Sequence, residues 1–510
     1  MLACICLVAF ANFHCGRSKK SASIDESKVT VLYIGDERVL GPAFEMPAKF
    51  LVFLPLVTYD ETWQPQGRLA KTWVHSPDWL EWTIHLRTDV RWHDGVPVTA
   101  SDVKFSLELL TLPHIHYEKP IIESITVQND STCKIRYMQP ASPLYYWAVI
   151  YPKHLLEDLD PEEFWNWEFW TQPIGNGPFR YVRHVPKTMI ELEANPDYYR
   201  GKPKIQSVVL KFGGSSQLTE LLSGNVDALT YVNRVDVLKL RQDPNFRIYE
   251  RKISDVLYAI FWNHSNPLFR DPMIRKALTL AINRRELVQA INYPKDVPIF
   301  DVIFTRRQFQ RREIPEPLPY DPEAAEKLLK EAGWRYIDRD GVLDRNGQEF
   351  RFSVIVRAGE VMEQGAIYVQ DQFRRVGIRM EVDILDFSVF FKRLRAGEFE
   401  AAIWKFDNSP GGDSQGFRLF VDEDSPIGYT NPRVVELLNR RQKTMDLDEW
   451  DRIYREIMPI FQSDLPLTFL FPDIETHVAH RRIGGLSNDH PDPVWFMEDL
   501  WIEDDEGVAE

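Results

Sequence analysis

The sequence predicts a multi-domain α/β protein, and three observations carry that expectation. Its 510 residues exceed what one hydrophobic core accommodates, since single cores stop growing near about 250–300 residues. Strand-like and helix-like runs interleave along the whole chain with short connections, the pattern of packed layers of helix and sheet. No fixed period links these runs, which removes solenoids and propellers. A composition of 44% hydrophobic and 27% charged residues with 25 Gly and 34 Pro is that of a water-soluble globular chain, and it excludes disordered, collagen-like and polytopic membrane classes.

The elements follow in chain order. Residues 1–14 contain no Lys, Arg, Asp or Glu, and the apolar run at 2–11 is too short to span a bilayer. It fits the h-region of a secretory signal peptide, although the basic n-region is missing. Two processing points stay open: Ala9-Phe10-Ala11 is a small-x-small site, whereas Cys15-Gly16 would be the lipidated cysteine of a bacterial lipoprotein. Residues 15–27, with Arg17-Ser18-Lys19-Lys20-Ser21, have the composition of a flexible tether. Strands are expected at 29–34, 82–86, 207–212, 258–262, 352–356 and 467–471. Cys133, Ile135 and Tyr137 alternate with polar residues and read as the buried side of a further strand. Thr99 with Asp102 three residues on is close to a capping box opening a helix at 100–108. Asp271-Pro272 and Asp321-Pro322 each supply a cap and a first-turn proline, and Gly333 closes the second of these helices.

Charge and motifs narrow the function classes. Lys plus Arg total 61 against 76 Asp plus Glu, a net charge of -15, which opposes contact with nucleic-acid phosphates or anionic lipid. The four cysteines, Cys4, Cys6, Cys15 and Cys133, support neither a disulfide framework nor a cysteine metal site. Phosphate loops, His-Glu-x-x-His, Gly-x-Ser-x-Gly and Cys-x-x-Cys are all missing. Gly175-Asn176-Gly177-Pro178 reads as a turn, and His114/His116 and His477/His480 lack a third ligand. No catalytic residue, metal or cofactor is expected, although paired carboxylates of a hydrolase leave no linear signature.

Specific blocks begin at Leu69-Ala70-Lys71-Thr72-Trp73. They continue through Trp82–Arg87 and Val90-Arg91-Trp92-His93-Asp94-Gly95-Val96-Pro97-Val98-Thr99-Ala100-Ser101-Asp102-Val103. Next come Pro173-Ile174-Gly175-Asn176-Gly177-Pro178-Phe179, Asn195-Pro196-Asp197-Tyr198-Tyr199, Leu222-Ser223-Gly224-Asn225-Val226-Asp227, Phe261-Trp262-Asn263, 275–284, Tyr320-Asp321-Pro322 and a last block from Asn431-Pro432 to 467–471. In this order they resemble the family 5 extracellular solute-binding proteins, the peptide- and nickel-binding receptors of ABC importers, over about residues 29–502. Read without the family, the His93-Asp94-Gly95, Asn195-Pro196-Asp197 and Asp321-Pro322 blocks are turn and cap chemistry.

The resemblance implies a two-lobed, hinged periplasmic-binding-protein fold, type II-like and of cluster C, with an extra domain II. Lobe I would comprise 28–45, 172–262 and 468–503; domain II, 46–171; lobe III, 263–467; and 504–510 an acidic tail. Two segments match the family's ligand-contacting positions. The first is Ile34-Gly35-Asp36-Glu37-Arg38, whose backbone would pair with an extended peptide. The second is Ala402-Ile403-Trp404-Lys405-Phe406-Asp407, where Asp407 would receive the α-ammonium or else shape the glycine-rich turn after it, Trp404 would stack on the ligand or else pack in the lobe, Phe406 lies beside the carboxylate, and Lys405 is placed to pair with Asp407 and compete. Arg38 and Arg418 are candidate carboxylate or phosphate binders. The implied function is a bacterial receptor of the periplasm or cell envelope, monomeric and membrane-bound only through a lipid on Cys15. It would capture an oligopeptide or dipeptide by hinge closure and deliver it to an ABC permease and ATPase. Alternatives are a non-peptide solute (oligosaccharide, nickel chelate, haem or opine), an envelope hydrolase, and a chaperone-like or signalling receptor. Of the 15 Trp, most read as packing, which narrows the aromatic signal for ligand to Trp404 and Phe406.

Overall fold

The computed structural model describes residues 28–33, 46–60, 64–112, 122–144, 149–186, 188–212, 217–230, 232–251, 256–304, 308, 311–336, 340–359, 361–407, 421, 425–488 and 497–503, with the backbone alone at 28–33, 46–47 and 406–407. Three sheets of four or more strands organise the described residues. The first has seven strands in the order Phe246–Arg251, Glu475–His480, Ala228–Leu229, Lys28–Tyr33, Ser207–Phe212, Met189–Ala194 and Phe179–Val185. Lys28–Tyr33 runs parallel to both Ser207–Phe212 and Ala228–Leu229. The second is a four-stranded antiparallel sheet of Ala70–His75, Glu81–Leu86, Thr132–Tyr137 and Ile122–Asn129. The third has five strands, ordered Arg379–Leu385, Arg351–Arg357, Ala401–Asp407, Val256–Trp262 and Leu467–Pro472.

Burial follows these sheets. One continuous core joins the inner faces of the first two, with Trp82, Ile84, Cys133 and Ile135 from one and Ile190, Val208 and Ala479 from the other. The five-stranded sheet is covered on both faces. One side packs on Ile274, Leu278 and Phe373, the other on Phe390, Leu437 and Ile457. Strands clothed on both faces read as near-continuous apolar runs, and Leu467–Pro472 is buried at every position.

The expected strands and caps are in place. Asp271 and Asp321 accept from the backbone N–H of Met273 and Ala324 at the starts of Pro272–Leu280 and Pro322–Glu331. Asp102 accepts from Thr99 N–H at 2.7 Å, from the Thr99 hydroxyl at 3.0 Å and from Lys153 N–H at 2.9 Å, at the start of Ala100–Leu109. Cys133 is buried, and burial pushes its thiol up to about 12, so it stays neutral.

Two of the sequence blocks meet in space and explain one another. His93 Nδ1 accepts from Gly175 N–H and its Nε2 donates to the Gly177 carbonyl. A Cβ on Gly175 would lie 1.9 Å from the Val52 carbonyl oxygen, and one on Gly177 would lie 2.5 Å from that of Leu51. Only glycine admits that approach. Asn176 between them accepts from Leu54 N–H at 2.8 Å. The blocks therefore lock the Met46–Val52 helix to the strand that follows.

The boundaries expected at 262/263 and 467/468 fall at the end of one strand and inside another. Val256–Trp262 pairs along its whole length with Ala401–Asp407 and over Leu257–Phe261 with Leu467–Pro472, so both crossing strands belong to the five-stranded sheet. The chain leaves the seven-stranded sheet after Arg251, enters the five-stranded sheet at Val256, and returns through Asp473 and Ile474. No helix among the described residues is long and apolar enough to cross a membrane. The signal segment, Cys15, the tether and the acidic tail lie outside the described residues.

Candidate ligand site between the lobes

Strand direction decides where a site forms. Arg351–Arg357, Arg379–Leu385 and Ala401–Asp407 run parallel, so Arg357, Leu385 and Asp407 end at one edge. Val256 and Pro472 lie at the same edge, because both their strands are antiparallel to a neighbour that fixes the register, Val256 opposite Asp407 and Leu257 opposite Pro472. In the seven-stranded sheet the carboxyl ends of Lys28–Tyr33, Ser207–Phe212 and Ala228–Leu229 point the same way as the hinge end of Glu475–His480. Ligands of open α/β sheets bind in crevices outside carboxyl strand ends. A cavity of about 720 Å³ occupies this position, a volume within the range of small-molecule sites. Its walls come from both lobes: Val232–Val235 from one, Tyr258, Tyr293, Glu363 and Lys405 from the other, and Asp473–Thr476 from the return crossing.

The charges on these walls are organised in networks. Lys405 Nζ lies 2.8 Å from Asp473 Oδ2 and 5.5 Å from the centre of the Tyr258 ring. Tyr293 Oη donates to Asp473 Oδ1 at 2.8 Å. Burial, and then the Asp473 carboxylate, raise the Tyr293 hydroxyl well above its ordinary range, so it remains a donor. Arg234 stacks over the Tyr293 ring at 4.4 Å, donates to the Ile474 carbonyl and pairs with Glu250 at 2.7 Å. Arg251 pairs with Glu475. Glu363 is different: its one described bond is from Gly359 N–H at 3.0 Å.

The predicted ligand residues divide accordingly. Lys405 reaches the cavity and has a described ion pair with Asp473; the pairing with Asp407 that the sequence suggested involves a side chain outside the described residues. Trp404 faces the other side of the sheet, between Phe390 and Phe391 at 5.2 and 4.9 Å with Arg357 at 5.8 Å, so it packs on the Phe387–Ala396 helix and does not line the cavity with Lys405. Phe406 and Asp407 are described as backbone only, at the end of a strand whose register partner Val256 lines the cavity. Gly35, Asp36, Glu37, Arg38 and Arg418 lie outside the described residues. Sequence reasoning missed Asp473, Tyr293, Arg234 and Glu363. A carboxylate just past the wholly apolar run 467–472 was the one local signal available. Among the described residues, no group of three His, Cys, Asp or Glu side chains is placed to hold a metal.

A profile of bacterial extracellular solute-binding proteins, family 5 (middle region), matches residues 64–426. The chain belongs to this family. It is 31% identical to a putative ABC transporter peptide-binding protein of Brucella ovis over 88% of each chain. It is 24% identical to the oligopeptide-binding protein AppA of Bacillus subtilis over 98% of each. Its fold superposes on the crystal structure of NikZ from Campylobacter jejuni in complex with Ni(L-His) with a TM-score of 0.75 and 25% identity, over 94% of this chain and 100% of that one. The two-lobed fold is thus that of the family 5 solute-binding proteins, a class of binding proteins, and membership implies a periplasmic or envelope location.

Proposed function

We propose that this family 5 protein is the receptor of an ABC importer. It captures a peptide between its lobes by hinge closure and presents it to the permease and ATPase, held at the membrane by a lipid on Cys15. The observation that carries the reading is the cavity at the two crossings, whose walls belong to both lobes. A solute touching both walls stabilises the closed arrangement over the open one, which is the differential affinity that hinge closure requires. Relatives named for oligopeptide binding, alignable over nearly the whole chain, support peptide as the solute. Asp407, at the carboxyl end of the strand that carries Lys405 into the cavity, is the anchor for the peptide α-ammonium.

Calorimetric titration of trialanine and N-acetyl-trialanine into the wild type and Asp407→Asn tests the reading. The expected result is a loss of about 2–5 kcal/mol for the free-amine peptide alone. Equal losses for both peptides would remove Asp407 from the anchor role. The likeness to nickel–histidine-bound NikZ favours a metal–amino-acid chelate as the second reading. Saturable binding of Ni(II) with L-histidine, and none of trialanine, would establish it instead.

A further inference from the structure

We infer that the interlobe cavity takes a cationic side chain of the solute, with Glu363 of one lobe as its charge partner and Thr476 of the other as its hydrogen-bond acceptor. The inference deepens the peptide-receptor reading and rests on it. Two independent observations carry it. Thr476 lines the cavity on the Glu475–His480 strand and is 2% exposed. Its carbonyl accepts from Val232 N–H, yet its hydroxyl oxygen is buried with no hydrogen-bond partner among the described residues. Buried polar atoms are nearly always satisfied, because an unmet one keeps the full desolvation cost of leaving water. A hydroxyl left unmet on the wall of a ligand-sized cavity is satisfied when a ligand enters.

The second observation is the charge pattern. Arg234, Lys405, Asp473 and Glu475 all line the cavity, and each has a partner of opposite charge within the protein. Glu363, in the first turn of Met362–Arg375, has no described cationic partner and accepts only from Gly359 N–H. Among the described residues the wall therefore presents one carboxylate with no cation against it, and it is half-buried, where screening by water is reduced. A lysine or arginine side chain supplies both the missing charge and N–H donors for Thr476. The same contact spans the two lobes, so it favours closure.

Calorimetry with Lys-Ala-Ala, Ala-Lys-Ala and Ala-Ala-Lys, each against its norleucine counterpart, tests the inference on the full chain. The wild type is expected to prefer lysine at one position by about 10- to 100-fold. Glu363→Gln should abolish that preference, weakening the preferred lysine peptide about 10- to 100-fold more than its norleucine counterpart. Thr476→Val should weaken the preferred lysine peptide by about 10-fold while raising the melting temperature of the ligand-free protein, since an unmet hydroxyl is removed. Thr476→Ser should restore binding. Peptide binding without a lysine preference, or an equal loss of both peptide types in Glu363→Gln, would overturn the inference and leave the peptide reading standing. A lower ligand-free melting temperature in Thr476→Val with unchanged affinities would make the hydroxyl structural and overturn its part. Failure of every peptide to bind would defeat the peptide reading itself, and this inference with it.

Discussion

At the scale of single residues, the family blocks turn out to be packing devices. His93 is the plainest case. Its two ring nitrogens are both used by the neutral imidazole, one accepting from Gly175 N–H and the other donating to the Gly177 carbonyl. Burial lowers its pKa to about 4, and burial followed by the charge of Arg275 does the same to His264. Between about pH 6.5 and 4 the unfolded chain binds protons that the folded chain refuses, so stability falls as pH falls through that window and is full above it. The expected slope is at most about 1.4 kcal/mol per pH unit for each histidine. Urea denaturation across pH 4–7 checks this, with His93→Gln less stable at neutral pH but less steep in its decline. An unchanged slope would mean that His93 is protonated in the native state. Trp404 shows the same lesson in another way: the indole singled out for ligand packs against Phe390 and Phe391.

At the scale of elements, caps and strand periodicity were readable because their causes are local. Asp102, the third helical residue of the capping box that Thr99 opens, is buried and accepts from two Thr99 donors and from Lys153 N–H. Asp102→Ala is expected to cost about 2–4 kcal/mol, measured as a lower urea midpoint at unchanged m-value. A cost below about 0.5 kcal/mol would show that water replaces the carboxylate. The cavity was not readable in the same way. Arg234 and Ile474 touch across 240 residues, and Tyr293 and Asp473 across 180. No periodicity or motif links such positions. The sheet to which the crossing strands belong was not readable for a related reason, because Val256–Trp262 and Leu467–Pro472 are apolar strands that fit either sheet until pairing decides. Asp407 and Lys405 were reached through the family resemblance, and only Lys405 is described with its side chain.

At the scale of the whole molecule, the fold joins two sheets through two crossings and leaves a cavity whose walls belong to both. The contact of Arg234 with Tyr293 and the Ile474 carbonyl ties one lobe to the other and to the return crossing. The Lys405–Asp473 pair links that crossing to the strand ending at Asp407. A solute on that strand is therefore coupled through packed and charged groups to the segment about which the lobes move. The central claim is that the cavity holds a peptide. Native mass spectrometry of the full chain, purified without refolding, tests it most directly. The expected result is a ladder of bound masses separated by amino-acid residue differences, one ligand per chain. A single bound sugar or metal chelate would contradict it.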